Sequence, residues 1–190
     1  AWVISNEPFF KDANLSWWNS FKLRASYGET GNNGVSESNA YSTLTAGTYN
    51  DAIAYYAGSF GNADLGWEHT KSVDVAADLG FFNNRIQLSI DWYNKLTEGL
   101  LYDVPVPSVF GTTKVRQNLG RVQNNGLEIE LNTHNFQTSD FSWSPSFNMS
   151  YNNNEVLQLG AENTPVYGKT NGQYNALVVG MPMYYFFGLK

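Results

Sequence analysis

Residues 65–102 read LGWEHTKSVDVAADLGFFNNRIQLSIDWYNKLTEGLLY, and this stretch decides the fold. It holds two long runs of alternating apolar and polar residues, on either side of a short Asn83-Asn84 link. A period of two predicts β-strands, and the asparagine pair predicts a tight hairpin turn. Each run is roughly 14–18 residues long, whereas strands in globular proteins usually have about 3–10 residues. The apolar positions are Val73, Val75, Ala77 and Leu79 on the first run, and Ile86, Leu88, Ile90 and Trp92 on the second.

The same alternation recurs along the chain. Segments 21–27, 126–132 and 141–151 read as strands, 2–4 reads as a strand end, and a last strand begins near Met181. Pro8 predicts a short helical turn. Connections 5–19, 83–84 and 133–140 are shorter, while 28–66, 103–118 and 152–180 are longer and are expected to be irregular. In an up-and-down meander this alternation puts tight turns at one end and large loops at the other, as in outer-membrane barrels.

Aromatic residues flank the short connections and recur further along the strands. Phe82 and Trp92 are ten positions apart, which in a strand tilted near 45° spans roughly 23 Å of height. The apolar band of a membrane barrel is about 25 Å tall and has an aromatic girdle at each rim. The polar faces would line a wet lumen with charged side chains: Lys22, Arg24, Asp74, Asp78, Asp91, Glu128 and Glu130.

Composition narrows the class of protein further. Charged residues make up 15% of the 190 residues, against about 25% in a soluble domain, and aromatics make up 16%. A net charge of −6 argues against nucleic acid as a partner. Cysteine is absent, which removes disulfides and thiolate metal sites. The chain begins and ends within an alternating pattern, so we expect an internal piece of a longer protein.

A soluble, secreted carbohydrate-binding β-sandwich would show the same alternation, with the apolar face as its core, and it stays open as the alternative. An enzyme is disfavoured because no nucleophile elbow is present. The two histidines, His69 and His134, are expected to be solvated or hydrogen-bonded side chains. Glu128 and Glu130 are expected to be lumen charges rather than a glycosidase pair. We therefore expect no catalytic residue, metal site or cofactor.

One long connection is rich in aromatic residues among small polar ones. Aromatic rings with amide and hydroxyl neighbours suit contact with sugar rings or with a protein lid, and packing between loops is the alternative explanation. The candidate contact residues are Tyr41, Tyr49, Tyr55, Tyr56, Phe60 and Trp67.

Five runs together resemble the barrel of SusC/RagA-type TonB-dependent outer-membrane transporters of Bacteroidetes. They are FKLRASYGETGNNG at 21–34, the stretch 65–101, VPVPSVFGTTKVRQNLGRVQNNGLEIELNT at 104–133, FSWSPSFNMSYNNNEVLQL at 141–159 and VVGMPMYYFFGLK at 178–190. The most specific pieces are LRASYG followed by Thr30-Gly31-Asn32, the turn GFFNNR at 80–85, and Asn118-Leu119-Gly120 followed by Asn125-Gly126.

The resemblance implies an all-β, antiparallel up-and-down transmembrane β-barrel segment, about six or seven strands of a barrel of roughly 22 strands. Residues 1–190 would belong to the barrel domain, with the plug and the remaining strands outside them. It implies energised import of large nutrients, typically oligosaccharides or peptides, across the bacterial outer membrane. The implied partners are a SusD-like surface lipoprotein lid, the TonB complex acting through the plug, and outer-membrane lipid.

Overall fold

The computed structural model describes residues 1–34, 39–160, 162–170 and 173–188, and most of them lie in β-strands. Within these residues, the helical segments are the 3₁₀ turns Ile4–Asn6 and Ser108–Phe110 and the α-helix α1, Pro8–Asp12, which begins at the predicted proline. No helix of the described residues is long and apolar enough to cross a membrane. The strands are β1 Trp2–Val3, β2 Trp18–Asn32, β3 Thr43–Tyr49, β4 Ala52–Ser59, β5 Glu68–Phe81, β6 Ile86–Glu98, β7 Leu101–Pro105, β8 Lys114–Asn118, β9 Arg121–Thr133, β10 Phe136–Gln137, β11 Ser142–Trp143, β12 Ser146–Gln158, β13 Val166–Thr170, β14 Gln173–Leu177 and β15 Tyr185–Phe186.

Six strands form the main sheet, in the order β1-β2-β5-β6-β9-β12. Apart from the short edge strand β1, each has 13 to 15 residues. The other strands form small ribbons of their own: β3–β4, β7–β8, β10–β11 and β13–β14–β15. The sheet therefore follows chain order, as predicted for an all-β antiparallel meander, and it is an open sheet rather than a closed barrel.

The hairpin predicted at Asn83-Asn84 is confirmed. Asn83 and Asn84 have φ angles of 57° and 59°, and the Arg85 N–H donates to the Phe82 carbonyl at 3.3 Å. Positive φ at both central residues defines the type I′ turn, whose twist matches that of the flanking strands. Asparagine tolerates this conformation better than other side-chain-bearing residues, which explains the pair at this turn.

The chain divides into two compact units. The first comprises Ala1–Gly28, Lys71–Lys95 and Asn124–Asn153, and its apolar face is not covered by protein. Val75 and Trp92 are each 45% exposed there and Phe147 is 58% exposed. A β-sandwich would bury these side chains against a second sheet, so the sandwich alternative is wrong.

The second unit comprises Glu29–Thr70, Leu96–Gln123 and Asn154–Lys190. It has a hydrophobic core of its own in which Val156 is fully buried. Partly buried apolar side chains such as Leu100 and Leu119 pack around that core. Its buried members are Val122, Val156, Leu159, Val166 and Leu177.

The long connections are more ordered than the sequence pattern predicted. Segment 28–66 was expected to be irregular, yet it contains the end of β2 and the hairpin β3–β4, which turns at Asn50-Asp51 with φ angles of 50° and 61°. Segment 103–118 contains the ribbon β7–β8, and 152–180 contains β13 and β14. Alternation of small residues with tyrosine, rather than of apolar with charged residues, hid β3 and β4.

Three strand bounds also differ from the prediction. β9 begins at Arg121 rather than at Gly126, and β12 continues through the asparagine run 152–154 to Gln158. The predicted strand 141–151 is interrupted before β12, because Pro145 lacks the N–H that a ladder requires. The expected turn 133–140 contains β10. The expected last strand at Met181 begins only at Tyr185.

Gly120 allows a sharp test of the second unit. It has a φ of +84°, and a Cβ there would overlap the carbonyl of Gln158, whereas Gly180 has a φ of +81° and a Cβ there would meet no described atom within 4 Å. We expect G180A to cost about 1–2 kcal/mol of unfolding free energy for backbone strain, and G120A about 1–3 kcal/mol more for overpacking. Urea unfolding followed by tryptophan fluorescence measures both, and equal losses would contradict this packing.

Candidate functional site

The polar face of the first unit carries a charge network centred on Arg24. Its guanidinium donates to both oxygens of Asp78, from Nε at 2.9 Å and from Nη2 at 3.0 Å. Nη2 also donates to Asp91 Oδ1 at 3.0 Å. The Ser89 hydroxyl lies 2.9 Å from Asp78 and 3.1 Å from Asp91. One cation on β2 therefore joins carboxylates from β5 and β6.

This network extends along β2 and stays wet. Lys22 Nζ is 3.8 Å from Asp78, and the Ser26 hydroxyl donates to Asp74 at 3.3 Å. The side chains of Arg24, Asp78 and Asp91 are each 36–40% exposed. Charges that keep contact with water avoid the large cost of burial. The predicted polar face is confirmed at Lys22, Arg24, Asp74, Asp78 and Asp91.

Aromatic rings gather beside the tight turn, as predicted. Trp17 stacks on Phe81 with ring centroids 5.9 Å apart, and Trp18 lies 5.2 Å from Phe21. The Phe82 N–H donates to the Trp17 carbonyl at 2.8 Å, which ties the turn to the start of β2. Such a cluster of amphipathic rings is typical of the rim of a membrane-spanning sheet.

The hairpin β3–β4 carries three of the six aromatic residues selected from the sequence. Tyr49, Tyr55 and Tyr56 are 79%, 70% and 55% exposed. Because Tyr55 and Tyr56 are consecutive in β4, their rings point to opposite faces. The register pairs Tyr49 with Ala52, which places Tyr49 on the face of Tyr56. Tyr55 shares the other face with Leu44 and Ile53, which are also exposed.

The other three aromatic residues occupy different surroundings. Trp67 lies over Gly31, where an added Cβ would come within 2.8 Å of its ring, and it is 58% exposed. The Tyr41 backbone lies against Gly61, and its ring is 72% exposed. Phe60 is 38% exposed. The six rings thus do not form one cluster: the hairpin presents two opposed surfaces, and Trp67 packs on β2.

Sequence reasoning missed the polar groups that organise the second unit. The Asn118 amide accepts the Gly66 N–H at 2.7 Å and donates to the carbonyls of Gly66 and Gly99 at 2.9 and 2.7 Å. Glu68 accepts the Leu101 N–H and the Asn32 amide, each at 2.7 Å. The alternation of Lys114, Arg116 and Asn118 was the available signal, but the nearby prolines suggested a loop.

The ribbon β7–β8 holds a compact ionic cluster. Asp103 accepts from Arg116 Nε at 2.8 Å and from Lys114 Nζ at 2.7 Å. The Arg116 hydrogen bond holds the pKa of Asp103 below its usual 3.8, and the bond from Lys114 adds to this effect while burial opposes it. Its carboxylate is 29% exposed. The cluster therefore stays charged at neutral pH.

The remaining candidates offer no reactive arrangement. His134 Nδ1 is hydrogen-bonded to the Ser144 hydroxyl at 3.0 Å, and His69 is exposed. Glu130 accepts from the Asn132 amide at 2.7 Å, and both it and Glu128 are exposed. Within the described part of the chain, no group of three or more histidine and acidic side chains could hold a metal ion.

Comparison with known proteins gives consistent matches. A family model described as "TonB dependent receptor-like, beta-barrel" matches residues 5–184. "TonB-dependent receptor P39" of Formosa agariphila is 40% identical over 163 residues, which is 85% of this chain and 16% of that protein. "TonB-dependent receptor SusC" of Bacteroides thetaiotaomicron is 34% identical over 179 residues, 88% of this chain and 17% of that protein.

Solved structures agree with these matches. "Structure of the RagAB peptide transporter" superposes with a TM-score of 0.81 at 28% identity, covering 96% of this chain and 20% of that one. The "closed-closed" state of the RagAB peptide importer gives a TM-score of 0.82 at 29% identity, with 95% of this chain and 20% of that chain covered. The chain therefore spans about a sixth to a fifth of the proteins it matches.

The Arg24 network makes a first prediction. We expect R24Q to lower the unfolding free energy by about 1 kcal/mol, because it leaves Asp78 and Asp91 as unneutralised neighbours. K22Q, which removes a single long contact, is the matched control and should cost only a few tenths of a kcal/mol. Adding D91N to R24Q should recover part of the loss by removing one repelling charge. Equal effects of R24Q and K22Q in urea unfolding would contradict the bridging role.

Asp103 predicts an acid-sensitive contribution to stability. Because its folded pKa is depressed, this contribution is complete above the ordinary value of 3.8 and is lost as the pH falls through the lower folded pKa. D103N removes it at every pH. The difference in unfolding free energy between wild type and D103N should therefore be largest near neutral pH and shrink below about pH 4. A difference that grows on acidification would have the wrong sign.

Proposed function

The chain belongs to the TonB-dependent receptor-like β-barrel family, and from this premise we propose that it forms wall and extracellular loops of an outer-membrane nutrient transporter. Residues 1–190 would be part of the barrel domain, with the plug and the other strands supplied by sequence outside this range. The fraction of its relatives that the chain covers supports this placement. The chain would have no catalytic role of its own.

The two-faced sheet is the observation that carries the proposal. Strands of 13 to 15 residues give roughly 30–35 Å of height at a tilt near 45°, enough for the hydrocarbon core of a bilayer. One face leaves Val75, Trp92 and Phe147 uncovered by protein. The other holds Arg24 between two carboxylates. Lipid outside and water inside satisfy both faces.

The cargo we propose is a large nutrient, an oligosaccharide or a peptide, imported with a SusD-like lipoprotein as lid and the TonB complex acting on the plug. The matched structures are titled as those of a peptide transporter and importer. A sugar cargo is supported by the exposed tyrosines among hydroxyl and amide groups, a combination that suits the faces and edges of pyranose rings. Either cargo would meet the same loops.

The hairpin β3–β4 would contact cargo or lid through its two surfaces. The Tyr56 ring lies over Gly47, where an added Cβ would come within 2.9 Å of it, so the ring is held flat against the hairpin beside Tyr49. A flat ring suits stacking on a sugar or a peptide group. The opposite surface, with Leu44, Ile53 and Tyr55, is apolar and suits a protein lid. Tyr41, Phe60 and Trp67 would extend the contact around the hairpin.

Cell fractionation of a strain expressing the full-length gene tests the proposed location and class. We expect the protein in the outer-membrane fraction, extracted only by detergent, and we expect loss of growth on the cargo when the gene is deleted. Recovery in the soluble periplasmic fraction without detergent would refute the proposal. Growth on glycan and on peptide sources, compared between deletion and complemented strains, separates the two cargo classes.

Single tyrosine substitutions separate the two hairpin surfaces. We expect Y56A to reduce uptake at limiting cargo by about two- to tenfold, the equivalent of one aromatic contact. Y55A should instead reduce co-purification of the lid. Y151A, which removes a tyrosine of similar exposure on β12, is the control. Uptake and lid retention unchanged in Y55A and Y56A would reject a role for the hairpin.

A further inference from the structure

A groove opens in the first unit beside the tight turn, between the end of β5 and the small hairpin β10–β11. It has a volume of about 520 Å³. Phe82, Phe136 and Trp143 are 54%, 58% and 48% exposed, and the last two stack with ring centroids 6.0 Å apart. The apolar wall is completed by Ile86, and the polar lining consists of Arg85, His134 and Asn135.

Arg85 is held in the groove by backbone rather than by acidic groups. Its Nε donates to the His134 carbonyl at 3.0 Å and its Nη2 donates to the Asn135 carbonyl. The turn itself is tied to this site, since the His134 N–H donates to the Arg85 carbonyl at 2.8 Å. A guanidinium has five N–H donors, so three remain for a ligand in a fixed fork geometry.

The charge of Arg85 is not neutralised within the described part of the chain. Every ion pair found there joins other residues. Neutral carbonyls position a guanidinium without cancelling its charge. A charge fixed beside exposed aromatic rings therefore favours a ligand that has both an anion and apolar chains. A soluble anion would leave the rings in water, and a purely apolar ligand would leave the cation unmatched.

We propose that this groove binds a glycerophospholipid, with the phosphate on Arg85 and the acyl chains along Ile86, Phe136 and Trp143. The proposal rests on the membrane location given above. Arginine binds phosphate oxygens through paired N–H donors, which gives such contacts their strength and direction. Aromatic rings at headgroup level are favoured at both membrane interfaces. The groove would thus hold one lipid molecule at the turn end of the sheet.

Native mass spectrometry of the detergent-purified full-length protein tests this site. The titrants are dioleoylphosphatidylglycerol and dioleoylglycerol, which share acyl chains but differ in the phosphate. We expect wild type to prefer the phospholipid, and R85Q to bind it about tenfold more weakly, the equivalent of one charge-assisted contact. R85K should keep part of the preference. W143A should weaken both lipids equally, because it removes only apolar wall.

K11Q is the matched control, since Lys11 is an exposed cation on α1 in the same unit, and it should bind both lipids as wild type does. R85Q binding the phospholipid as tightly as wild type would overturn the proposal. Displacement of the phospholipid by inorganic phosphate alone would also overturn it, because the groove would then be a small-anion site. Failure of the proposed function is seen separately, as wild-type protein in the soluble fraction.

Discussion

The structure depends on a sheet that has no protein on either face of its first unit. A strand satisfies its backbone through its neighbours, but side chains on the two faces need surroundings of their own. Here one face is apolar and exposed at Val75 and Phe147, and the other is charged. In water alone, such a sheet would leave the apolar face unburied. Its stability therefore has to come from two different environments, lipid and an aqueous lumen.

The charged face follows the same logic. A lone arginine or aspartate on a thin wall would repel or attract neighbours without control, whereas Arg24 between Asp78 and Asp91 forms a neutralised, directional junction across three strands. The junction links β2 to β5 and β6 by side chains as well as by backbone. Because it stays partly exposed, it adds modest stability but fixes which side chains neighbour one another on the polar face.

Much of this could be predicted from the sequence, for a physical reason. In residues 73–79 and 86–92 the period of two is explicit, and Asn83-Asn84 specifies a turn that few other pairs allow. The loops were harder, because β3 and β4 alternate glycine, alanine and threonine with tyrosine, and both faces are exposed. Asn118 and Glu68 could not have been identified, since their partners are backbone groups brought close only by folding. The opposed directions of Tyr55 and Tyr56 required the register.

The independence of the hairpin β3–β4 has an evolutionary consequence. Within the described residues, the buried cluster of the second unit takes its side chains from elsewhere, around Val156 and Leu177, and none from 43–59. Changes on the hairpin surface therefore carry little folding penalty, so natural selection can alter this hairpin freely while the wall is conserved. Diversification among homologues should concentrate here, in a segment that a lineage can rewrite when its diet changes.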